Sequence, residues 1–147
     1  MVKLPHFLQP KPPVANDGYD VPVAVAPEGM TSILLVDDEP AIRSLCAAAL
    51  RRDGYFVAEA TDGKAAITAA AAAGRVDVVV TDVRMPRMDG VSMADALRLT
   101  HPGLPIVFVT GYPFDEGKIG PNDQLLNKPF MREDLRRAVE TATGRTH

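Results

Sequence analysis

Five polar residues stand where apolar runs of the chain stop. Asp37 and Asp38 follow Ile33-Leu34-Leu35-Val36, and Asp82 follows Val78-Val79-Val80-Thr81. Thr110 follows Ile106-Val107-Phe108-Val109, and Lys128 follows Gln124-Leu125-Leu126-Asn127. Carboxylates gathered in one place repel, and a hard cation relieves that repulsion most simply. Mg²⁺ suits such a site, because it takes oxygen ligands, keeps several waters and accepts a phosphate oxygen. Lys128 adds a compact positive charge and Thr110 a hydroxyl donor. Cation, ammonium and hydroxyl around one carboxylate stabilise a phosphoryl group carried on it, and aspartate is a known nucleophile in acyl phosphate chemistry. Two plainer readings stand beside this one. Asp82 can serve as a turn residue, as Asp often does, and Lys128 can form a structural salt bridge with it.

The chemistry requires the five residues to meet, so the elements that carry them decide. Val78 to Val80 is a short β-branched run, the pattern of a strand buried on both faces of a parallel sheet. Ile33–Val36, Tyr55–Ala60, Ile106–Val109 and Gln124–Asn127 read as four more strands. Between them lie helical stretches. Pro40 suits a first helical turn, where its missing N–H has no partner. Ile42, Leu45, Cys46, Ala49 and Leu50 then form one apolar stripe. Asp62-Gly63 opens a second helix, nearly all alanine from Ala65 to Ala73 and needing no functional explanation. A third runs from Gly90 to about Thr100 around Met93, Ala94 and Leu97. A last one carries Leu135, Ala138, Val139 and Ala142. Strands alternating with helices predict a parallel sheet with helices on both faces. All its strands point one way, so Asp37, Asp38, Asp82, Thr110 and Lys128 gather at one edge, where open α/β sheets bind ligands.

Bulk properties exclude several alternatives. A chain of 147 residues has room for one domain, and 46% hydrophobic content is enough for a real core. A net charge of −3 offers no basic field for nucleic acid and no polybasic patch for a membrane. No run approaches the ~18 apolar residues of a membrane span, and the N-terminus lacks a signal peptide's apolar core. Cys46 is the single cysteine, which predicts a core thiol in a reducing, cytoplasmic setting. His6, His101 and His147 are scattered, against a zinc site. Residues 1–30 hold six of the 13 prolines and keep no helical or strand period, which predicts a disordered Pro-rich tail before a domain spanning 31–147. Met30 directly precedes the first strand and is a second possible natural start.

Leu35-Val36-Asp37-Asp38-Glu39-Pro40, Thr81-Asp82-Val83-Arg84-Met85-Pro86 with Met88-Asp89-Gly90, Val109-Thr110-Gly111 and Lys128-Pro129-Phe130 occur in that order. From about Ser32 to Ala142 the chain resembles the receiver domain of bacterial two-component response regulators. The resemblance implies a flavodoxin-like, doubly wound, five-stranded parallel sheet of order 2-1-3-4-5. It implies that Asp82 is the phosphoacceptor, taking its phosphoryl group from a histidine kinase or a histidine phosphotransfer protein. Asp38, Asp82 and the backbone carbonyl of Arg84 would hold Mg²⁺, with Asp37 acting through a water. Thr110 and Lys128 would contact the phosphoryl oxygens, and the Lys128-Pro129 bond would be cis. Arg84 and Tyr112 would flank the water's approach to the phosphorus, which predicts slow self-dephosphorylation.

Two stretches depart from the family pattern. Leu125 stands where an aromatic residue usually swings inward on activation. Gly111, Pro113, Gly117, Gly120 and Pro121 fall where a helix of several turns is usual. Glycine costs about 1 kcal/mol and proline about 3 kcal/mol inside a helix, so that fourth helix is predicted short or irregular. After Lys128 the sequence holds the last helix and no output domain. The expectation is a stand-alone receiver, a monomer or weak dimer, that is not itself an enzyme and signals to a downstream protein target. The alternative is the receiver fragment of a hybrid histidine kinase or a phosphorelay intermediate.

Overall fold

A computed structural model of the chain describes residues 25–145. Five parallel strands form one sheet: β1 (Ser32–Val36), β2 (Phe56–Ala60), β3 (Val78–Asp82), β4 (Ile106–Thr110) and β5 (Gln124–Asn127), in the order β2-β1-β3-β4-β5. Helices α1 (Pro40–Arg52), α2 (Gly63–Ala73), α3 (Gly90–Thr100) and α4 (Arg132–Thr143) connect or follow them. This is the doubly wound architecture and strand order that the resemblance implies.

The two-residue period of the strands divides the core. Leu34, Val36, Val79, Ile106 and Phe108 point to one face, where Ala66 and Ala70 of α2 and Met93, Ala94 and Leu97 of α3 cover them. Ile33, Leu35, Val78, Val80, Val107 and Val109 point to the other, beneath Ala47 and Leu50 of α1 and Leu135 and Val139 of α4. Each fully buried valine, leucine or isoleucine contributes roughly 1.5–3 kcal/mol. That is why the central strands read as continuous apolar runs.

The α1 stripe differs from its sequence expectation. Ala47 and Leu50 are buried and Cys46 is half-buried, whereas Leu45 is 69% exposed. At 100° per residue the sheet-facing line passes through 46, 47 and 50, which turns Leu45 sideways. Ile42, Leu45 and Ala49 instead line an apolar groove of about 410 Å³ shared with Pro129, Phe130 and Leu135. Burial, and next the charge of Asp37, push the Cys46 thiol up, which disfavours the reactive thiolate.

Between β4 and β5 the only helical structure is one 3₁₀ turn, Glu116–Lys118, as its glycines and prolines predict. The segment is held by other means. Asp123 is buried and accepts from the backbone N–H groups of Ile106 (3.1 Å) and Gly120 (2.7 Å), and it pairs with Arg98 of α3. Arg98 also donates to the carbonyl of Leu104 (3.0 Å). Phe114 rests on Phe108, with ring centroids 5.9 Å apart.

Of the Pro-rich stretch 1–30, residues 1–24 lie outside the described residues. Residues 25–30 make a turn with Met30 N–H on the Pro27 carbonyl (3.1 Å). Ala26 is buried, and the Arg75 guanidinium donates to the carbonyls of Pro27 and Met30.

Candidate functional site

Asp37 leaves β1 at its carboxyl end, Asp82 closes β3, Thr110 closes β4 and Lys128 follows β5. The parallel register sets these ends side by side, since Val36 lies opposite Thr81, Asp82 opposite Val109, and Thr110 opposite Asn127. Backbone hydrogen bonds continue the ladder past the strands: Val83 N–H to Val109 O at 3.0 Å and Lys128 N–H to Thr110 O at 2.8 Å. The peptide bond between Lys128 and Pro129 is cis.

The three carboxylates converge, with one oxygen each from Asp37, Asp38 and Asp82 within 4.8 Å of one another. Burial raises the Asp37 pKa first, and the charges of Asp82 and Asp38 add to it; the N–H of Glu39 (2.9 Å) and the Lys128 ammonium oppose that rise. The Asp37 carbonyl accepts from Arg43 (2.8 Å), whose guanidinium also meets Glu59 at 3.1 Å, so α1 and β2 brace this turn. Lys128 Nζ stands 3.3 Å from Asp82 Oδ2. Oxygen donors from two strand ends, with uncompensated negative charge among them, match what Mg²⁺ requires.

Asp82 opens on a recess of about 420 Å³ lined by Glu39, Arg84, Gly111, Tyr112 and Lys128. Thr110 is buried, and its hydroxyl is engaged by the Tyr112 backbone. It accepts from the Tyr112 N–H (3.1 Å) and donates to the Tyr112 carbonyl (3.2 Å). Arg84 and Tyr112 meet over the recess, the guanidinium carbon 4.2 Å from the ring centroid.

Two contributors were not legible from residue types. Gly90 starts α3 directly against the β3 end, and a Cβ there would lie 2.5 Å from the Asp82 carbonyl oxygen. Its N–H also bonds to the Val83 carbonyl at 2.8 Å, and Asp89 caps the helix by accepting from Ser92 N–H (2.8 Å). The Asp89-Gly90 turn signal marked the place but not the close approach. Glu39 lines the recess, and its place beside Asp37-Asp38 was the available hint.

Residues 33–140 match the family model described as "Response regulator receiver domain". The chain belongs to the response regulator receiver family. It is 37% identical over 150 aligned positions to the sensor kinase CckA of Brucella abortus, which takes in 93% of this chain and 15% of that protein. It is 38% identical over 122 residues to the probable transcriptional regulatory protein TcrX of Mycobacterium tuberculosis, 78% of this chain and 52% of that one. The chain thus spans about half or less of these curated relatives. Among solved structures, the receiver aligns with the chemotaxis protein CheY4 of Vibrio cholerae at a TM-score of 0.72 and 33% identity, covering 78% of this chain and 99% of that one. The receiver domain of the hybrid histidine kinase CckA aligns at 0.67 with 34% identity, over 76% and 98% of the two chains. Among the described residues, no helix of this receiver is long and apolar enough to cross a membrane.

Proposed function

We propose that this receiver accepts a phosphoryl group on Asp82 from the phosphohistidine of a histidine kinase or histidine phosphotransfer protein, in a Mg²⁺-dependent step in the cytoplasm. The observation that carries this reading is the placement of Lys128 Nζ 3.3 Å from Asp82 Oδ2 beside two further carboxylates. An Asp82 carboxylate oxygen attacks the phosphorus in line with the P–N bond of the donor. The P–O bond forms as the P–N bond breaks, and its electron pair returns to the imidazole nitrogen, which is protonated from solvent. Asp38, Asp82 and the Arg84 carbonyl would hold Mg²⁺, with Asp37 acting through a water, and the ion would supply positive charge beside the phosphoryl oxygens. Lys128 shifts from the bare carboxylate to a phosphoryl oxygen, and the Thr110 hydroxyl turns from the Tyr112 carbonyl to another.

The domain is a switch and not a free-standing enzyme, and it sheds its phosphoryl group slowly. A donor helix has a surface to lie on beside Asp82, because Lys128 borders both the acidic recess and the apolar α1–α4 groove. Output passes to a protein target, as the net charge of −3 offers nothing to nucleic acid.

A second reading, a hybrid-kinase receiver or relay intermediate, is favoured by the CckA alignment across 93% of the chain. The two roles separate on return transfer, since a relay receiver passes its phosphoryl group on to a histidine phosphotransfer protein. For the main reading, wild type incubated with acetyl phosphate and Mg²⁺ should gain one phosphoryl mass, abolished by EDTA and by Asp82→Asn. Full labelling of that variant would exclude Asp82 as acceptor.

A further inference from the structure

Arg84 is exposed and, among the described residues, pairs with no carboxylate; its guanidinium lies on the Tyr112 ring at 4.2 Å. Both side chains line the recess that Asp82 opens on. Tyr112 is also gripped from behind, because its N–H and carbonyl both bond to the Thr110 hydroxyl at 3.1 and 3.2 Å. The ring that overlooks Asp82 therefore comes from the β4–β5 loop. The β5 position in register with Phe108 is Leu125, a half-buried side chain packed against the core.

Resting on the reading of Asp82 as phosphoacceptor, we propose that Arg84 is the residue that senses the phosphoryl group. Its guanidinium is parked on Tyr112 in the unphosphorylated domain. It moves to a phosphoryl oxygen once Asp82 is modified, and this frees Tyr112 and the Gly111–Phe114 stretch as the altered surface. The direction follows from the forces involved. A phosphoryl group brings nearly two negative charges and three strong acceptors, and a planar guanidinium binds such oxygens in pairs. Attraction to a ring face is a charge–quadrupole interaction, weak where water reaches it. Two of the three holds on Tyr112 are lost together. The Thr110 hydroxyl that turns to the phosphoryl group leaves the Tyr112 carbonyl without its donor, and the departing guanidinium uncovers the ring.

The loop is built to give way at this end only. Its far end is tied by Asp123 and Arg98, and Phe114 is seated on Phe108, whereas residues 111–113 are exposed. No α-helix stiffens the stretch, so displacement of Tyr112 need not disturb a packed element.

The test uses the full chain with Mg²⁺ and beryllofluoride, the mimic bound in the solved Thermotoga maritima response regulator TrrA. ¹⁹F NMR reports occupancy of Asp82, while ¹H–¹⁵N NMR follows the Arg84 side-chain Nε–H and the Tyr112 amide and ring. The expected result is a downfield move of the Arg84 Nε–H, loss of the upfield ring shift on its side chain, and a shifted Tyr112 amide. In Arg84→Ala the Tyr112 ring should already show its released signal, with little further change on beryllofluoride. The acyl phosphate formed from acetyl phosphate should also decay about tenfold faster, the order expected for one lost hydrogen bond to a charged group. In Tyr112→Leu the Arg84 Nε–H should still move. Beryllofluoride bound with the Arg84 signal unmoved overturns the sensor and leaves the acceptor reading standing. Failure of beryllofluoride and acetyl phosphate alike to modify wild type at Asp82 overturns both.

Discussion

Two connections carry the chain back from the edge of the sheet that holds the candidate site, and they are built differently. From β3 to β4 the return is an 11-residue helix, α3, with Met93, Ala94 and Leu97 buried in the core. From β4 to β5 it is a loop with one 3₁₀ turn, tied by the carboxylate of Asp123 and the guanidinium of Arg98. The first return is held by apolar area, which is non-directional and tolerant of small shifts. The second is held by a few directional polar contacts at one point. A parallel crossover thus needs an anchor more than it needs a helix. The loop keeps freedom near Tyr112 that a packed helix would remove.

Removing the polar anchor should do the most damage. Asp123→Ala leaves Arg98 unpaired and orphans the buried Ile106 N–H. Arg98 keeps a solvent-facing edge (29% exposed), so the loss is expected near the low end of the range for breaking buried pairs, about 3 kcal/mol in a urea titration. A loss under about 1 kcal/mol would show that the loop is held by Phe114 and Ile119 instead.

Mg²⁺ should act on the other side of the comparison, since its proposed ligands lie just after β1, at the end of β3 and in the turn after β3. At a Mg²⁺ concentration 100 times its Kd, thermal unfolding should show about 2.7 kcal/mol of added stability. Hydrogen exchange should slow around Asp37 and Asp82 more than in the 111–119 loop. The pH dependence has a definite sign. The Asp37 pKa is raised in the fold, so its contribution is present below its unfolded pKa and is lost as pH rises through the folded one. Without Mg²⁺, Asp37→Asn should remove that part of the loss; an unchanged stability-versus-pH curve would refute the assignment.

Gly90→Ala sharpens the contrast from the helical side. A Cβ 2.5 Å from the Asp82 carbonyl forces α3 and the β3 end apart. The expected cost is about 1–3 kcal/mol, as for other overpacked positions, with slower phosphorylation of the displaced Asp82. Wild-type rates in this variant would mean that the β3 end tolerates the shift. The smallest effect is expected for Gly111→Ala. A Cβ there meets only the Lys128 side chain at 3.7 Å, an ordinary contact, so a gain of at most about 1 kcal/mol is expected from the stiffer unfolded chain. A loss of stability instead would reveal constraint at the start of the loop.

Much of the fold was legible because its signals are local. Val78–Val80 and Ile106–Val109 announce buried strands by composition, Pro40 and Asp62-Gly63 mark helix starts, and the glycines and prolines of 111–121 exclude a long helix. The meeting of Asp37, Asp38, Asp82, Thr110 and Lys128 at one edge follows from strands that all point one way. Leu45 was misplaced because a stripe on α1 defines a face but not its rotation, which packing against both the sheet and α4 sets.

What the sequence determined by itself was the alternation of strands and helices, and with it the set of residues delivered to the site edge. Only the tertiary structure decided how they stand there. It turned the Thr110 hydroxyl toward Tyr112, laid Arg84 on the Tyr112 ring, left Gly90 no room for a side chain, and joined Arg98 to Asp123 across 25 residues of chain. Propensity and periodicity act over a turn or a strand, so they reach the chain's local order. Contacts between loops depend on distances that exist only after the sheet has closed its register.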